Sequence, residues 1–349
     1  MNKIVYVTGC LGFIGAYVTR ACLKQGWYVI GVDKETYASR LENLEEFKMY
    51  KDHFKYIKSD INDLTSLYEC DYVINTAAES HVDSSIINSD EFIESNINGV
   101  KNLLQLIRQK DQFQMPTLIH FSTDEVYGDI LNGSHTEEHL LKPSNPYSAT
   151  KAAADMLILA WARTFKVPYI IVRPTNNYGL GQYPEKLIPK ICKYINLNKR
   201  IPLHNLGKPK RIWLHAADTA NAIIEIIKSN NKNEIYNISG NIELCNYQVV
   251  SKIVKILGLK DDFSHVPEES YKYKGYGHDL NPNFTNNNPD IYKIENNSKI
   301  VDFLYERKGH DLRYSLDDSK LRKLGWENEY ILDKELPSVV DFYVNNFIW

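Results

Sequence analysis

The sequence has no apolar run long enough to cross a bilayer, and its first residues, MNKIVYVTGCLGFIG, are interrupted by glycines before any signal or spanning helix could form. Its five cysteines, Cys10, Cys22, Cys70, Cys192 and Cys245, are odd in number, widely spaced and without a C-x-x-C pair. That argues against a disulfide framework or a thiolate metal site and for free thiols in a reducing compartment. Excess charge is also scarce: 41 Lys and Arg against 44 Asp and Glu leave a net charge of -3. No broad basic field exists to hold nucleic acid or an anionic membrane surface, so an anionic ligand must be held by a local cation cluster. There is no internal repeat, and the only compositional bias is Asn enrichment around 276–300, expected as a long surface loop. The expectation is a soluble cytoplasmic protein with no membrane partner, no nucleic-acid partner and no metal.

What is present is core-forming material, 43% of 349 residues being hydrophobic. Short stretches rich in Val, Ile and Tyr read as strands at 3–7 (KIVYV), 28–33 (YVIGVD), 54–60 (FKYIKSD), 71–78 (DYVINTAA), 117–122 (TLIHFS) and 168–174 (PYIIVRP). Helical patterns lie between them, at 13–26, 90–110 and 146–166. In the second, Phe92, Ile93, Ile97, Val100, Leu103, Leu104 and Ile107 mark one buried face. Strand and helix in alternation imply an α/β fold with a doubly wound parallel sheet. After about residue 175 the elements shorten and become irregular, which predicts a smaller second domain at the sheet's carboxyl edge.

VTGCLGFIG places Gly9, Gly12 and Gly15 at a strand-to-helix turn, where bare backbone can approach a pyrophosphate and helix amides can face it. Asp33, ending the second strand, can accept from adenosine ribose hydroxyls and repels a 2'-phosphate, so NAD is favoured over NADP. Asp60 and Ile61 end the third strand, where Asp60 either borders the adenine or caps a helix. Phe13, Ile14, Lys34, Thr36, Ala77 and Ala78 complete this Rossmann-type candidate set.

NPYSATKAAAD puts Tyr147 and Lys151 on one helical face, where an ammonium and a bound positive nicotinamide would lower the phenol's pKa and make it a base. Together with the glycine turn and the strand ending in Ser122 and Thr123, this resembles the extended short-chain dehydrogenase/reductases. AAESHVDSSI (77–86), STDEVYGD (122–129), NPYSATKA (145–152), NNYG (176–179), YPEKLIPK (183–190), KGHDLRYSLD (308–317) and KLRKLGW (320–326) resemble, within that group, the nucleotide-diphosphate-glucose 4,6-dehydratases.

The resemblance implies a chemistry. A phenolate takes the proton of the sugar C4 hydroxyl while C4 loses hydride to NAD; a carboxylate then takes the acidified C5 proton, a carboxylic acid protonates the departing C6 hydroxyl, and C6 receives the hydride. By resemblance Tyr147 is the first base, Glu125 the C5 base and Asp124 the acid, with Thr123 binding the sugar near O4 and Lys151 tuning Tyr147. Lys186 and Arg211 are the candidate diphosphate cations. Asn176, Leu187, Pro202, His204, Asn246 and His310 complete the substrate set; Ser80, Ser95 and Asn177 match positions near nicotinamide or sugar. It further implies an NAD-binding domain over 1–175, completed by part of 208–240, a mainly nucleotide-sugar-binding domain over 176–349, and a homodimer through 90–110 and 146–166.

Two local questions remain. S-x-x-E in STDE also fits a capping box, but VYGDILNGS carries two glycines and no helical periodicity, so no helix is expected there. Neighbouring side chains point apart on a strand, so the backbone must leave it after Thr123 for both acids to face one substrate. Relative to the bacterial dTDP-sugar enzymes, Ser84 replaces an Arg, Ile212 an Asp, and Lys308 a Pro. NPYSATKA and KLRKLGW look closer to eukaryotic UDP-glucose enzymes of rhamnose synthesis, a slight lean to UDP-glucose over dTDP-glucose. A 4-epimerase or decarboxylase of the same group, or a non-catalytic NAD-binding regulator, is the alternative; neither has use for two adjacent acids.

Overall fold

A computed structural model describes residues 3–260, 298–303 and 311–346; most of the Asn-rich 276–300 stretch lies outside the described residues. The described elements run β1 (Ile4–Thr8), α1 (Phe13–Lys24), β2 (Tyr28–Asp33), α2 (Leu41–Lys48), β3 (Phe54–Lys58), β4 (Tyr72–Asn75), α3 (Val82–Ile87), α4 (Asp90–Ile93), α5 (Gly99–Arg108), β5 (Thr117–Phe121), α6 (Pro146–Phe165), β6 (Tyr169–Pro174) and β7 (Asn176–Tyr178). They continue with α7 (Leu187–Asn196), β8 (Ile201–Pro202), β9 (Lys210–His215), α8 (Ala216–Ser229), β10 (Glu234–Ile238), β11 (Ile242–Cys245), α9 (Asn246–Ile256), β12 (Val301–Asp302), α10 (Ser319–Arg322) and α11 (Leu332–Asp341).

Seven strands form one parallel sheet in the order β10-β6-β5-β4-β1-β2-β3. Because both faces are covered, the inner strands are buried on both sides rather than alternating, and β4 and β5 are buried at every residue. Alternate residues still choose faces. Val5 and Val7 join Leu23, Ile223 and Ile227 on the side of α1 and α8, while Tyr6 joins Val100, Leu103 and Ile158 on the side of α5 and α6. Strand order reverses between β1 and β4, which opens a crevice beyond their carboxyl ends.

After β6 the chain leaves this sheet, builds a three-stranded sheet (β11-β9-β7) and a two-stranded one (β12-β8), and returns once to add α8 and β10. A separate core of Ile188, Ile191, Val250, Ile253, Leu336 and Val340 holds the later elements together.

The helix expected at 90–110 is interrupted: a π turn over Glu94–Asn98 separates α4 from α5. The extra residue in that turn rotates the preceding face, so Ile93, expected inside, is 43% exposed. It also buries Asn96, whose amide accepts from Glu79 N (2.9 Å) and donates to Glu79 O (2.9 Å) and Thr150 Oγ1 (3.0 Å). The loop following β4 is thereby tied to α6.

Candidate active site

The crevice contains two neighbouring cavities, of about 390 and 100 Å³. All candidate residues lying within the described part of the chain line one or both; His310 lies outside it.

The smaller cavity is bordered by the ends of β1, β2, β3 and β4. Gly9 has φ +69°, and a Cβ there would meet Ala77 N at 2.8 Å; one on Gly15 would meet Gly9 O at 2.0 Å. The first glycine permits the turn and the third lets α1 lie against it, leaving bare backbone at Gly12 where the helix begins. Asp33 is 6% exposed and already accepts from Leu11 N (3.0 Å), Glu35 N (2.8 Å) and Ser39 Oγ (2.7 Å). A carboxylate has about four acceptor positions, so about one is left for the ribose hydroxyls. Asp60 forms an Asx turn, accepting from Asn62 N at 2.9 Å, and faces Lys34 Nζ at 3.4 Å. The cradle and its acceptor set fit a dinucleotide with an unphosphorylated ribose.

In the larger cavity, Thr123 is still extended (φ -156°, ψ 156°), and Asp124–Tyr127 then coil into a single 3-10 turn whose N-cap is Thr123, its Oγ1 accepting from Glu125 N. This corrects the expectation of no helix. Four residues are too few to show periodicity, and the cap is Thr123 rather than Ser122. The turn is what brings both acids toward one space.

Asp124 is 4% exposed. Its Oδ1 accepts from Thr123 Oγ1 at 3.1 Å, while Oδ2 is buried without a partner. Burial first, then the neighbouring Glu125, pushes its carboxyl up to about 7. Glu125 accepts at 3.2 Å from Asn145 Nδ2, and Asn145 is also the N-cap of α6, completing a capping box with Ser148. The same short stretch therefore orients Glu125 and starts the helix that carries Tyr147 and Lys151.

Tyr147 is 9% exposed. Burial and Glu125 raise its pKa, while a hydrogen bond with Thr123 lowers it. Two carboxylates stand close to the phenol, and Lys151 Nζ faces His120 Nε2 at 3.4 Å, so the lowering expected from Lys151 together with a positive nicotinamide has the carboxylates to overcome. Burial brings Lys151 down to about 8.

The nucleotide-side candidates converge on the same cavity. Arg211 is 7% exposed, donates to the carbonyls of Lys210 (2.8 Å) and Asp311 (2.9 Å), and lies 4.2 Å over the Tyr314 ring. Lys186 Nζ donates to Ser80 O at 2.6 Å, bridging from the later half of the chain to the loop after β4. Asn177 spends its amide on Thr175 O (2.8 Å) and Thr219 Oγ1 (2.6 Å), so its side chain braces the wall.

Sequence reasoning passed over Asn145, Asp311 and Tyr314. The Tyr314 hydroxyl donates to Asp311, whose carboxyl burial pushes up to about 6, and both line the cavity. Their signal lay inside the quoted motifs NPYSATKA and KGHDLRYSLD, but nothing in spacing shows that 311–314 folds back over the acids. Among the described residues no cluster of His, Cys, Asp and Glu could hold a metal, and no helix is long and apolar enough to cross a membrane.

Comparison with known proteins gives one consistent result. The sequence matches the family described as GDP-mannose 4,6 dehydratase over residues 6–337. A dTDP-glucose 4,6-dehydratase of Escherichia coli is 35% identical, covering 99% of this chain and 94% of its own length. The Haloferax volcanii low-salt glycan biosynthesis protein Agl12 is 32% identical, covering 98% and 99%. Among solved structures, DesIV, the dTDP-glucose 4,6-dehydratase of Streptomyces venezuelae with NAD and TYD bound, superposes with a TM-score of 0.83 at 32% identity, covering 98% of this chain and 97% of its own. A UDP-glucuronic acid 4-epimerase from Bacillus cereus, at 21% identity and a TM-score of 0.82, shares the fold.

Proposed function

The chain belongs to the GDP-mannose 4,6 dehydratase family, as an NAD-dependent nucleotide-sugar 4,6-dehydratase of the extended short-chain dehydrogenase/reductases, and on that premise we propose dTDP-glucose as its substrate and the following roles for its residues. The observation that carries the reading is Asp124: a buried carboxyl, raised to about 7, with one oxygen unpartnered and a second acid beside it. An epimerase has no leaving hydroxyl to protonate, so a neutral carboxylic acid there is useful only for elimination. The 4-epimerase or decarboxylase alternative is supported by fold alone.

NAD, when bound along Gly9, Gly12, Gly15 and Asp33, supplies a cationic hydride acceptor that takes hydride from C4 and returns it to C6. The chain's own groups move the protons. Tyr147 takes the O4 proton with Thr123 holding the same oxygen, and Lys151 keeps a positive charge on that side. Glu125, aimed by Asn145, removes the C5 proton once the C4 carbonyl has acidified it. Asp124 gives its proton to the C6 hydroxyl as that bond breaks. Arg211 and Lys186 balance the diphosphate; Leu187, Pro202, His204 and Asn246 border the nucleoside, with Asn176 and Ser80 toward the sugar. Residues 1–175 with α8 and β10 form the NAD-binding part and the remainder mainly the substrate part. Ile93 (43% exposed) and Met156 (49%) suit a homodimer through 90–110 and 146–166.

The slight motif likeness to UDP-glucose enzymes pointed the other way; the relatives at 35% and 32% identity named for dTDP-glucose support dTDP. Incubation with dTDP-glucose and, separately, UDP-glucose, followed by mass spectrometry, tests both parts. Faster loss of one water from the dTDP substrate is expected. Faster loss from UDP-glucose reverses the nucleotide assignment, and loss from neither refutes the dehydration.

A further inference from the structure

The proton count of this reaction leaves the site out of register after each turnover. The O4–H bond breaks and its proton ends on Tyr147. The C5–H bond is broken by Glu125 and remade at C5 with that proton. The C6–O bond breaks and the leaving hydroxyl departs as water with the proton of Asp124. Hydride lost at C4 is regained at C6, so no net electrons move and the sugar has lost only water. With a positive nicotinamide beside the phenol, the protein would begin each turnover with an ionised Tyr147 and a protonated Asp124 and end with the reverse. One proton must pass from the phenol to the carboxyl before the next turnover.

Among the described residues, the Thr123 hydroxyl stands beside both groups. Thr123 Oγ1 donates to Asp124 Oδ1 at 3.1 Å, lines the same cavity as the Tyr147 phenol, and is the polar neighbour that draws that phenol's pKa down. It also accepts from Glu125 N at 3.3 Å, which fixes the oxygen in place. A hydroxyl carries a single hydrogen and two lone pairs, so it cannot donate to both neighbours at once. Either it donates to the carboxylate and accepts from the phenol, or it donates to the phenolate and accepts from the carboxylic acid. These two arrangements are the site's states after and before a turnover. Thr123 is 8% exposed and Asp124 is 4% exposed, so bulk water has little access to the Asp124 carboxyl.

We propose that Thr123 is the relay that resets the enzyme: the Tyr147 proton passes to Thr123 Oγ1 as the Thr123 proton passes to Asp124. The net charge of the three groups stays constant and no external acid is consumed. This rests on the dehydratase reading above and adds to it a second task for a residue otherwise assigned to hold the sugar.

Chemical-quench kinetics with excess dTDP-glucose test it on the NAD-loaded wild type, Thr123→Val and Thr123→Ser. Valine keeps the branched shape and the extended backbone but has no hydroxyl. Thr123→Val should release close to one equivalent of keto sugar per site and then slow at least tenfold, with the slow phase accelerated by imidazole buffer at fixed pH; Thr123→Ser should show no burst. Equal slowing of first and later turnovers in Thr123→Val, without buffer acceleration, overturns the relay and leaves Thr123 a sugar ligand. Wild type gives a check that needs no variant: its steady rate should be independent of imidazole concentration at fixed pH and ionic strength, and a rate that climbs with imidazole also overturns the relay. Wild type that turns over with no burst in Thr123→Val removes the relay alone, whereas wild type that releases no keto sugar removes the dehydratase reading with it.

Discussion

Asn145 is bound to Glu125 and to the first turn of α6 at once: its Nδ2 donates to Glu125 Oε2 at 3.2 Å and its Oδ1 accepts from Ser148 N at 2.9 Å. The two functions separate by substitution. Asn145→Asp keeps the cap but puts a carboxylate against Glu125, whereas Asn145→Ala loses both. Thermal unfolding should show Asn145→Ala destabilised by about 1 kcal/mol, the worth of a lost N-cap. In Asn145→Asp stability should change less, yet elimination measured by water loss should fall at least tenfold.

Asp124 connects pH to both chemistry and stability. Its carboxyl is raised to about 7 when folded, against about 4 in an unfolded chain. The folded protein therefore holds a proton that the unfolded chain releases, and between about pH 4 and 7 stability falls as pH rises. Asp218 and Asp311, both raised to about 6, add slopes of the same sign. Asp124→Asn should melt higher than wild type at pH 8, with the difference shrinking toward pH 5. In single turnovers, water elimination by wild type should decline above about pH 7 as the acid form is lost; a rate still rising there would contradict the acid role.

Glu125 and Tyr147 act at different stages, so their losses should look different in the absorbance of reduced nicotinamide. Glu125→Gln should oxidise C4 and stall, giving a lasting NADH signal without water loss. Tyr147→Phe should give neither. Turnover near the wild-type rate in Glu125→Gln would displace it as the C5 base.

Beneath the acids lies a buried ion pair, Arg173 Nη2 to Asp155 Oδ2 at 2.9 Å, with Ser122 Oγ on the same oxygen at 3.0 Å and Tyr127 receiving Arg173 Nη1 at 2.6 Å. Both charged residues are at most 2% exposed. Asp155→Asn leaves a guanidinium in the core without its counter-charge, and denaturant unfolding should report a loss of roughly 3–5 kcal/mol. Because Tyr127 ends the 3-10 turn, water elimination should fall in the same variant even below its melting range.

Much of this was legible before folding. Tyr28–Asp33 was delimited to the residue because YVIGVD is apolar between a glycine turn and charge. Asp124 and Glu125 announced themselves as acids at a strand end. What periodicity could not carry were features shorter than a helical turn or one residue out of step: the 3-10 turn at Asp124–Tyr127 and the π turn at Glu94–Asn98. Asp311 and Tyr314 were visible as letters in a motif, but their place beside the acids depends on a chain return that no local pattern encodes.

That return runs a long way. Asp129 Oδ1 accepts from Leu312 N at 2.6 Å and Arg313 N at 3.0 Å, His135 bridges to Leu316, and Arg211 donates to Asp311 O at 2.9 Å. On a ribosome, the strands from β1 to β6 are complete long before residue 311 is made. Contacts so distant along the chain close late. The acid pair therefore acquires its enclosed surroundings last, and a chain stopped before residue 311 would have the central sheet but not the finished chamber.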